Sequence, residues 1–136
     1  MASLRNKKSI SSPPGNGQEL VKVTYDFAYD TGAQADYDVL ENTGQDGVIV
    51  EHVMTIGETT CAGVNCNLDL GKAAGGTEFQ SDFDGPTITA DYIMLSSTAN
   101  TKVELTNGEK IVLGIETADL TAGKFHMYFR IYKKPY

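Results

Sequence analysis

The sequence holds no tryptophan, two cysteines and two histidines in 136 residues. Each scarcity removes a class of function. Cys61 and Cys66, in "TTCAGVNCN", have no second cysteine pair and no nearby histidine, which argues against a structural zinc. On a straight strand, residues at this odd separation face opposite ways, so a bridge would need a turn at Ala62–Gly63. The spacing reads as two reduced, structural thiols. Without tryptophan, a flat platform for sugar rings has to be built from tyrosine. His52 and His126 fall in the middle of strand-like runs, and no local Ser–His–Asp or Cys–His pattern surrounds either. P-loop, dinucleotide and phosphate-cradle glycine patterns are missing too; the glycines of Ala74–Gly76 read as a loop tip. "DFDG" at Asp82–Gly85 resembles the start of a calcium loop. Pro86 and Thr87 then stand where further EF-hand ligands would have to follow, which leaves open only a calcium site of another kind in a sandwich loop. No catalytic residue, metal ligand or cofactor is assigned.

Long apolar runs are lacking as well. No stretch approaches the ~20 residues of a membrane span. The basic start "MASLRNKKSISSPPGNGQ" is not followed by the apolar core of a secretory signal. A soluble chain made in the cytoplasm is expected, with length for a single core.

Positive charge is scarce where most of the chain lies. The formal net charge is −7. Residues 1–18 contribute +3 through Arg5, Lys7 and Lys8, and the end returns +3 through Arg130, Lys133 and Lys134. Between positions 23 and 91 there are thirteen acidic residues against Lys72 alone, a balance of −12. Such a body repels nucleic acid at range. Two basic ends on an acidic body suggest tethering to other protein surfaces, although a merely solvated surface explains the same charges.

What is present is strand chemistry. "ELVKVTYDFAYD" alternates Val21, Val23, Tyr25 and Phe27 with Lys22, Thr24 and Asp26, as a half-buried strand requires. "ADYDVLE", "VIVEHVMTI", "VNCNLDLG", "TKVELT" and "EKIVLGIETAD" follow, separated by glycine-rich turns. "TITADYIMLSS" is compatible with a strand but reads slightly better as a short helix. Asn107–Gly108 is a strong hairpin signal. The final run sets Phe125, Met127, Phe129 and Ile131 against Lys124, His126, Tyr128, Arg130 and Tyr132. Eight or so short strands with little helix predict an all-β fold, an antiparallel β-sandwich or jelly roll over residues 19–136. Residues 1–18, rich in Ser, Pro and Gly, are expected to form a flexible N-terminal arm that gains order on a neighbour.

The ending "KIVLGIETADLTAGKFHMYFRIYKK" resembles the closing hairpin of small β-sandwich capsid decoration, or cement, proteins of tailed bacteriophages, chains that often run strand, "TAxLTAGK", strand and stop. The match lies at Thr117–Ala118, at Leu120–Lys124 and in the alternating strand after them. "LVKVTYDFAYDTGA" followed by "GVIVEHVMTI" looks like the opening of the same proteins. As a pattern the likeness spans most of residues 19–133, and it is close in the last twenty-five. The Cys61–Cys66 region and the loop at 71–86 depart from it. The resemblance implies a structural protein without catalysis on the exterior of a virion, with the major capsid protein as partner, and self-association, with a trimer plausible. Neither nucleic acid nor membrane enters as a partner. Arg5, Lys7, Lys8, Ser11, Ser12, Pro13 and Pro14 are then the candidate capsid-binding arm. Tyr128, Arg130 and Tyr132 are candidates for subunit or partner contact, or else for packing inside the monomer, since tyrosine and arginine serve as interface anchors. The alternative is a carbohydrate-binding sandwich module, with a site built from the loops Asp30–Gln34, Asn42–Gly47 and Lys72–Asp84.

Overall fold

A computed structural model describes residues 2–97 and 101–134. Among these residues ten strands form two sheets packed face to face: β1 (Ala2–Ile10), β2 (Gln18–Asp26), β3 (Ala35–Asn42), β4 (Val48–Ala62), β5 (Asn67–Lys72), β6 (Gln80–Asp84), β7 (Ile93–Met94), β8 (Lys102–Leu105), β9 (Lys110–Glu116) and β10 (Ala122–Lys133). Sheet A runs β1-β3-β9-β5-β6, and sheet B runs β2-β10-β4-β7 with β8 also on β4. Among the described residues only β1 with β3 is a parallel pair; the other pairings are antiparallel. The all-β sandwich expected from the alternation is therefore the observed architecture.

The apolar face of each strand turns into one shared interior. Val23 and Tyr25 of β2, Leu68 and Leu70 of β5, Ile111 and Ile115 of β9, and Phe125 and Phe129 of β10 are all buried there. Tyr25 stacks on Phe125 with ring centroids 4.9 Å apart. Burying each such side chain contributes roughly 1.5–3 kcal/mol.

The connections differ from the sequence reading. Asn107–Gly108 was expected to close a hairpin, and it does make a tight turn, with Gly108 at φ 84°. The strands on either side lie in different sheets, β8 on β4 and β9 between β3 and β5. The Asn107 amide donates to the carbonyls of Thr43 and Gly44, fixing the turn as a corner between layers. The "LTAG" link is likewise a crossover, from β9 in sheet A to β10 in sheet B. It enters sheet B through a register shift between Ala122 and Lys124. Gly123, at φ 126°, lies so close to Cys61 that a Cβ would overlap the Cys61 sulfur. That contact and the positive φ account for glycine at this point of the motif. The helix favoured for "TITADYIMLSS" is not formed: a 3-10 turn at Gly85–Thr87 takes in only its first residue, and β7 occupies Ile93–Met94. Pairing with β4, at Thr55↔Met94 and Ile56↔Ile93, outweighs a weak local preference.

The largest difference is the leading segment. The expected mobile arm is β1 over residues 2–10, laid parallel on β3, with Leu4 2% and Ile10 7% exposed. Two apolar side chains reach the core, which repays the ordering entropy that Ser, Pro and Gly would otherwise leave uncompensated. A polar clamp adds to them. The Asp26 carboxylate caps a short helix at Phe27–Asp30 by accepting from the Ala28 N–H at 3.0 Å. That turn aims Asp30 back between the sheets, where its carboxylate accepts from the Arg5 N–H at 2.6 Å and the Asp26 N–H at 2.9 Å. Asn6 Oδ1 accepts from the Thr24 N–H at 3.0 Å. These donors sit on strand edges that have no neighbouring strand, and left unmet in a partly buried seam each would cost about 1–3 kcal/mol.

Replacing Asp30 with alanine is expected to destabilise the protein by about 2–3 kcal/mol in urea unfolding. Amide exchange should accelerate in β1 and stay unchanged in β10. Equal protection of β1 in the variant and the parent would show that Asp30 does not hold the strand. Removing residues 1–18 should cost on the order of 3–6 kcal/mol, because it strips Leu4 and Ile10 from the core rather than trimming a loose end.

Candidate protein-interaction surface

The outer face of sheet B is built around β10. Strict alternation turns Lys124, His126, Tyr128, Arg130 and Tyr132 away from the core, and each is half-buried. Register places Tyr128 between Lys22 of β2 and Met54 of β4, Arg130 between Leu20 and Glu51, Tyr132 between Gln18 and Ile49, and His126 between Thr24 and Ile56. Ile56 pairs onward with Ile93, which is 56% exposed. The result is an aliphatic and aromatic strip made of Ile49, Met54, Ile56, Ile93 and Tyr128.

Charges along this strip are balanced locally, Lys22 beside Tyr128 excepted. Glu51 accepts from the Tyr132 hydroxyl at 2.7 Å and lies 3.6 Å from the Arg130 guanidinium and 3.5 Å from the Lys102 ammonium. At the other end, Glu58 meets His126 Nε2 at 2.6 Å and Lys124 Nζ at 3.1 Å. Those two contacts, the histidine first, hold the Glu58 carboxyl below its ordinary range. His126 Nδ1 in turn lies 2.7 Å from the Thr24 hydroxyl. Aromatic and aliphatic groups ringed by paired charges are the composition of a protein interface with a polar rim. Tyr128, Arg130 and Tyr132, assigned from sequence to either contact or packing, thus lie together on the outside of sheet B. Tyr132 and Arg130 converge on Glu51, while the Tyr128 hydroxyl has no partner among the described residues.

The segment predicted to reach a capsid divides. Lys7 is held by Glu41 at 2.7 Å, and the Arg5 guanidinium lies 3.8 Å over the Tyr29 ring. Lys8 is exposed. Ser11 and Ser12 are exposed in the connection to β2, Pro13 is half-buried and Pro14 buried. A turn there is closed by the Gly17 N–H donating to the Pro14 carbonyl at 3.2 Å. Sequence reasoning missed Tyr29, 62% exposed, and the roles of Asn6 and Asp30. The available signal for β1 was the pair Leu4 and Ile10, too widely spaced to read as alternation. A register shift in β1 between Ser3 and Lys8 explains that spacing.

Chemistry-bearing groups elsewhere are structural in their contacts. His52 is buried between Phe79 and Phe129, with Nδ1 2.8 Å from the Ser96 hydroxyl and Nε2 2.8 Å from the Thr55 hydroxyl. Burial pushes its pKa down to about 4. Cys61 and Cys66 are free and buried, and burial raises both thiols to about 11. Asp69, Asp82 and Glu116 on the outer face of sheet A bring carboxylate oxygens within 4.8 Å of one another, close enough to share a cation. The hydrogen bond from Glu116 to Asp69, followed by burial and the charges of Asp69, Asp82 and Asp36, raises Glu116. A proton held there relieves part of the crowding. Of the loops considered for a glycan site, Asp30–Gln34 leads into β3 and Asn42–Gly47 leaves its far end, while Asn42 and Ala73 both bond the 109–110 backbone, which puts the start of the Lys72–Asp84 loop beside Asn42.

No family model matches this chain, nor does any curated protein or solved structure.

Because His52 is depressed in the folded state, the unfolded chain takes up its proton first as pH falls. The stability due to neutral His52 is complete above about pH 6.5 and is lost between there and about pH 4, by roughly 3 kcal/mol in all. Urea unfolding of His52→Gln should be flatter than the parent between about pH 6.5 and 5, where most carboxylates remain ionised. Identical slopes would remove His52 as the cause. Both thiols should resist an aromatic disulfide reagent in the native protein and react fully in denaturant.

Proposed function

We propose that this protein is a non-enzymatic structural component of a virion, made in the host cytoplasm and seated on the exterior of a tailed-phage capsid, which it decorates or stabilises. The major capsid protein is its partner, and copies associate with one another, a trimer matching a local threefold position. The outer face of sheet B supports this reading: an uncovered strip of Ile49, Met54, Ile56, Ile93 and Tyr128, flanked by the paired charges of Glu51, Arg130, Glu58 and Lys124 and by Lys22, which has no carboxylate partner among the described residues. Docking such a face removes apolar area from water, and because Glu51, Arg130, Glu58 and Lys124 are paired already, Lys22 is left for the partner to match. The resemblance of residues 110–134 to capsid decoration proteins supplies the kind of partner. A lattice supplies avidity, since modest contacts repeated over adjoining subunits hold far more tightly than one alone.

Sedimentation of the protein with capsids that lack it tests the reading. The parent should saturate the particles. Ile93→Asp and Tyr128→Asp should each lower affinity by about tenfold or more, with melting temperatures within a few degrees of the parent. Particles that take up both variants as well as the parent would rule out this face, and particles that take up none of the parent would rule out the capsid.

A further inference from the structure

Sheets A and B meet along one open side, where the edge of β1 faces the edge of β2. That seam is stitched at one end only. The β2–β10 register runs from Gln18 to Asp26 without interruption, so the amides of β2 alternate between β10 and the free edge. Thr24 and Asp26 send theirs to the free edge, where Asn6 and Asp30 accept them. By the same parity the amides of Leu20 and Lys22 also point to the free edge, and among the described residues neither has an acceptor.

Lys22 lines two hollows along this seam. One, of about 490 Å³, lies between Ser9–Ser12 and the first half of β2. The other, of about 400 Å³, includes Arg5, Asn6 and Tyr29. The acids beside the second hollow are engaged: Asp30 by two backbone amides, Asp26 by its helix cap and by Lys124 at 3.9 Å. Arg5, Lys8 and Lys22 meet no carboxylate among the described residues, and Glu19 is the one acid along the groove with neither a cation nor a hydrogen-bond donor among the described residues. Leu20, 58% exposed, adds an apolar contact beside the unmet amides.

We infer that this groove takes an extended, carboxylate-bearing segment of a partner protein. The segment adds as a strand along the β2 edge at Leu20–Lys22, its backbone carbonyls accepting the two unmet amides. An Asp or Glu side chain of the segment then lies against the Arg5 guanidinium and the Lys22 ammonium. Backbone pairing supplies affinity and the alternate side chains supply selection, as in other cases of strand addition to an exposed sheet edge. A free anion would meet the same cations but has no use for the edge amides, and this favours a polypeptide. The chemistry is the same whatever assembly carries the partner, so it stands apart from the capsid reading: a chain that binds such segments but no capsid keeps the groove and loses the capsid.

The test is fluorescence polarisation of the full chain with short labelled peptides carrying Glu, Gln or Lys at alternate positions and Val or Thr between them. Glu peptides should bind saturably, about tenfold or more tighter than their Gln counterparts, with an affinity that falls as salt rises. Arg5→Glu and Lys22→Glu should each cost about tenfold. Leu20→Pro removes an outward amide but no ladder bond, so it should weaken binding while leaving the melting temperature within a few degrees. Absence of saturable binding, equal binding of the Gln peptides, or full binding by Leu20→Pro overturns the inference. The last result together with displacement by glutarate would assign the cations to a free carboxylate instead.

Discussion

The structure depends on a single shared interior that neither sheet can close alone. Chain order alternates between layers, A-B-A-B-A-A-B-B-A-B from β1 to β10, so nearly every connection crosses the core instead of returning along its own sheet. Among the described residues only β5 and β6 form an adjacent antiparallel pair joined directly. Each strand must therefore deliver its apolar face to a partner layer built from distant sequence. Alternation of period two does that work, and polar side chains bond the places where strand edges would be left bare.

This constraint explains what was legible in the residues. Period-two runs such as Val21–Val23–Tyr25 and Phe125–Met127–Phe129–Ile131 stated both the strands and their inward faces. The outer residues of β10 followed by elimination. What stayed hidden was pairing. Asn107–Gly108 carries the local chemistry of a hairpin, yet that chemistry fixes only the turn, and Asn107's bonds to Thr43 and Gly44 decide which sheets it joins. Similarly, the 87–95 stretch has mixed periodicity, and its pairing with β4 is a long-range fact that no local window contains.

The candidate surfaces were legible in the same uneven way. Tyr128, Arg130 and Tyr132 were visible as an outward face, but the apolar half of that face comes from Ile56 and Ile93, strands away in sequence. Composition marked residues 1–18 as unable to order themselves. Asp30 reverses that conclusion, because a carboxylate presented by one helical turn gathers the backbone donors of two edges at once. A single acidic residue in a turn gives no such signal in the linear chain. The basic charge of the segment survives the correction, displayed along the wall of a groove instead of on a free tail.

β10 lies between β2 and β4, so the last strand of the sandwich is an interior member of its sheet. During synthesis, β2 and β4 leave the ribosome long before the strand that must separate them, with apolar faces and unpaired edges exposed meanwhile. Vectorial folding from the amino end is thereby closed to this molecule. Completion has to wait until Phe125–Ile131 emerges, and a chaperone that shields the waiting strands would govern how much of the product escapes aggregation.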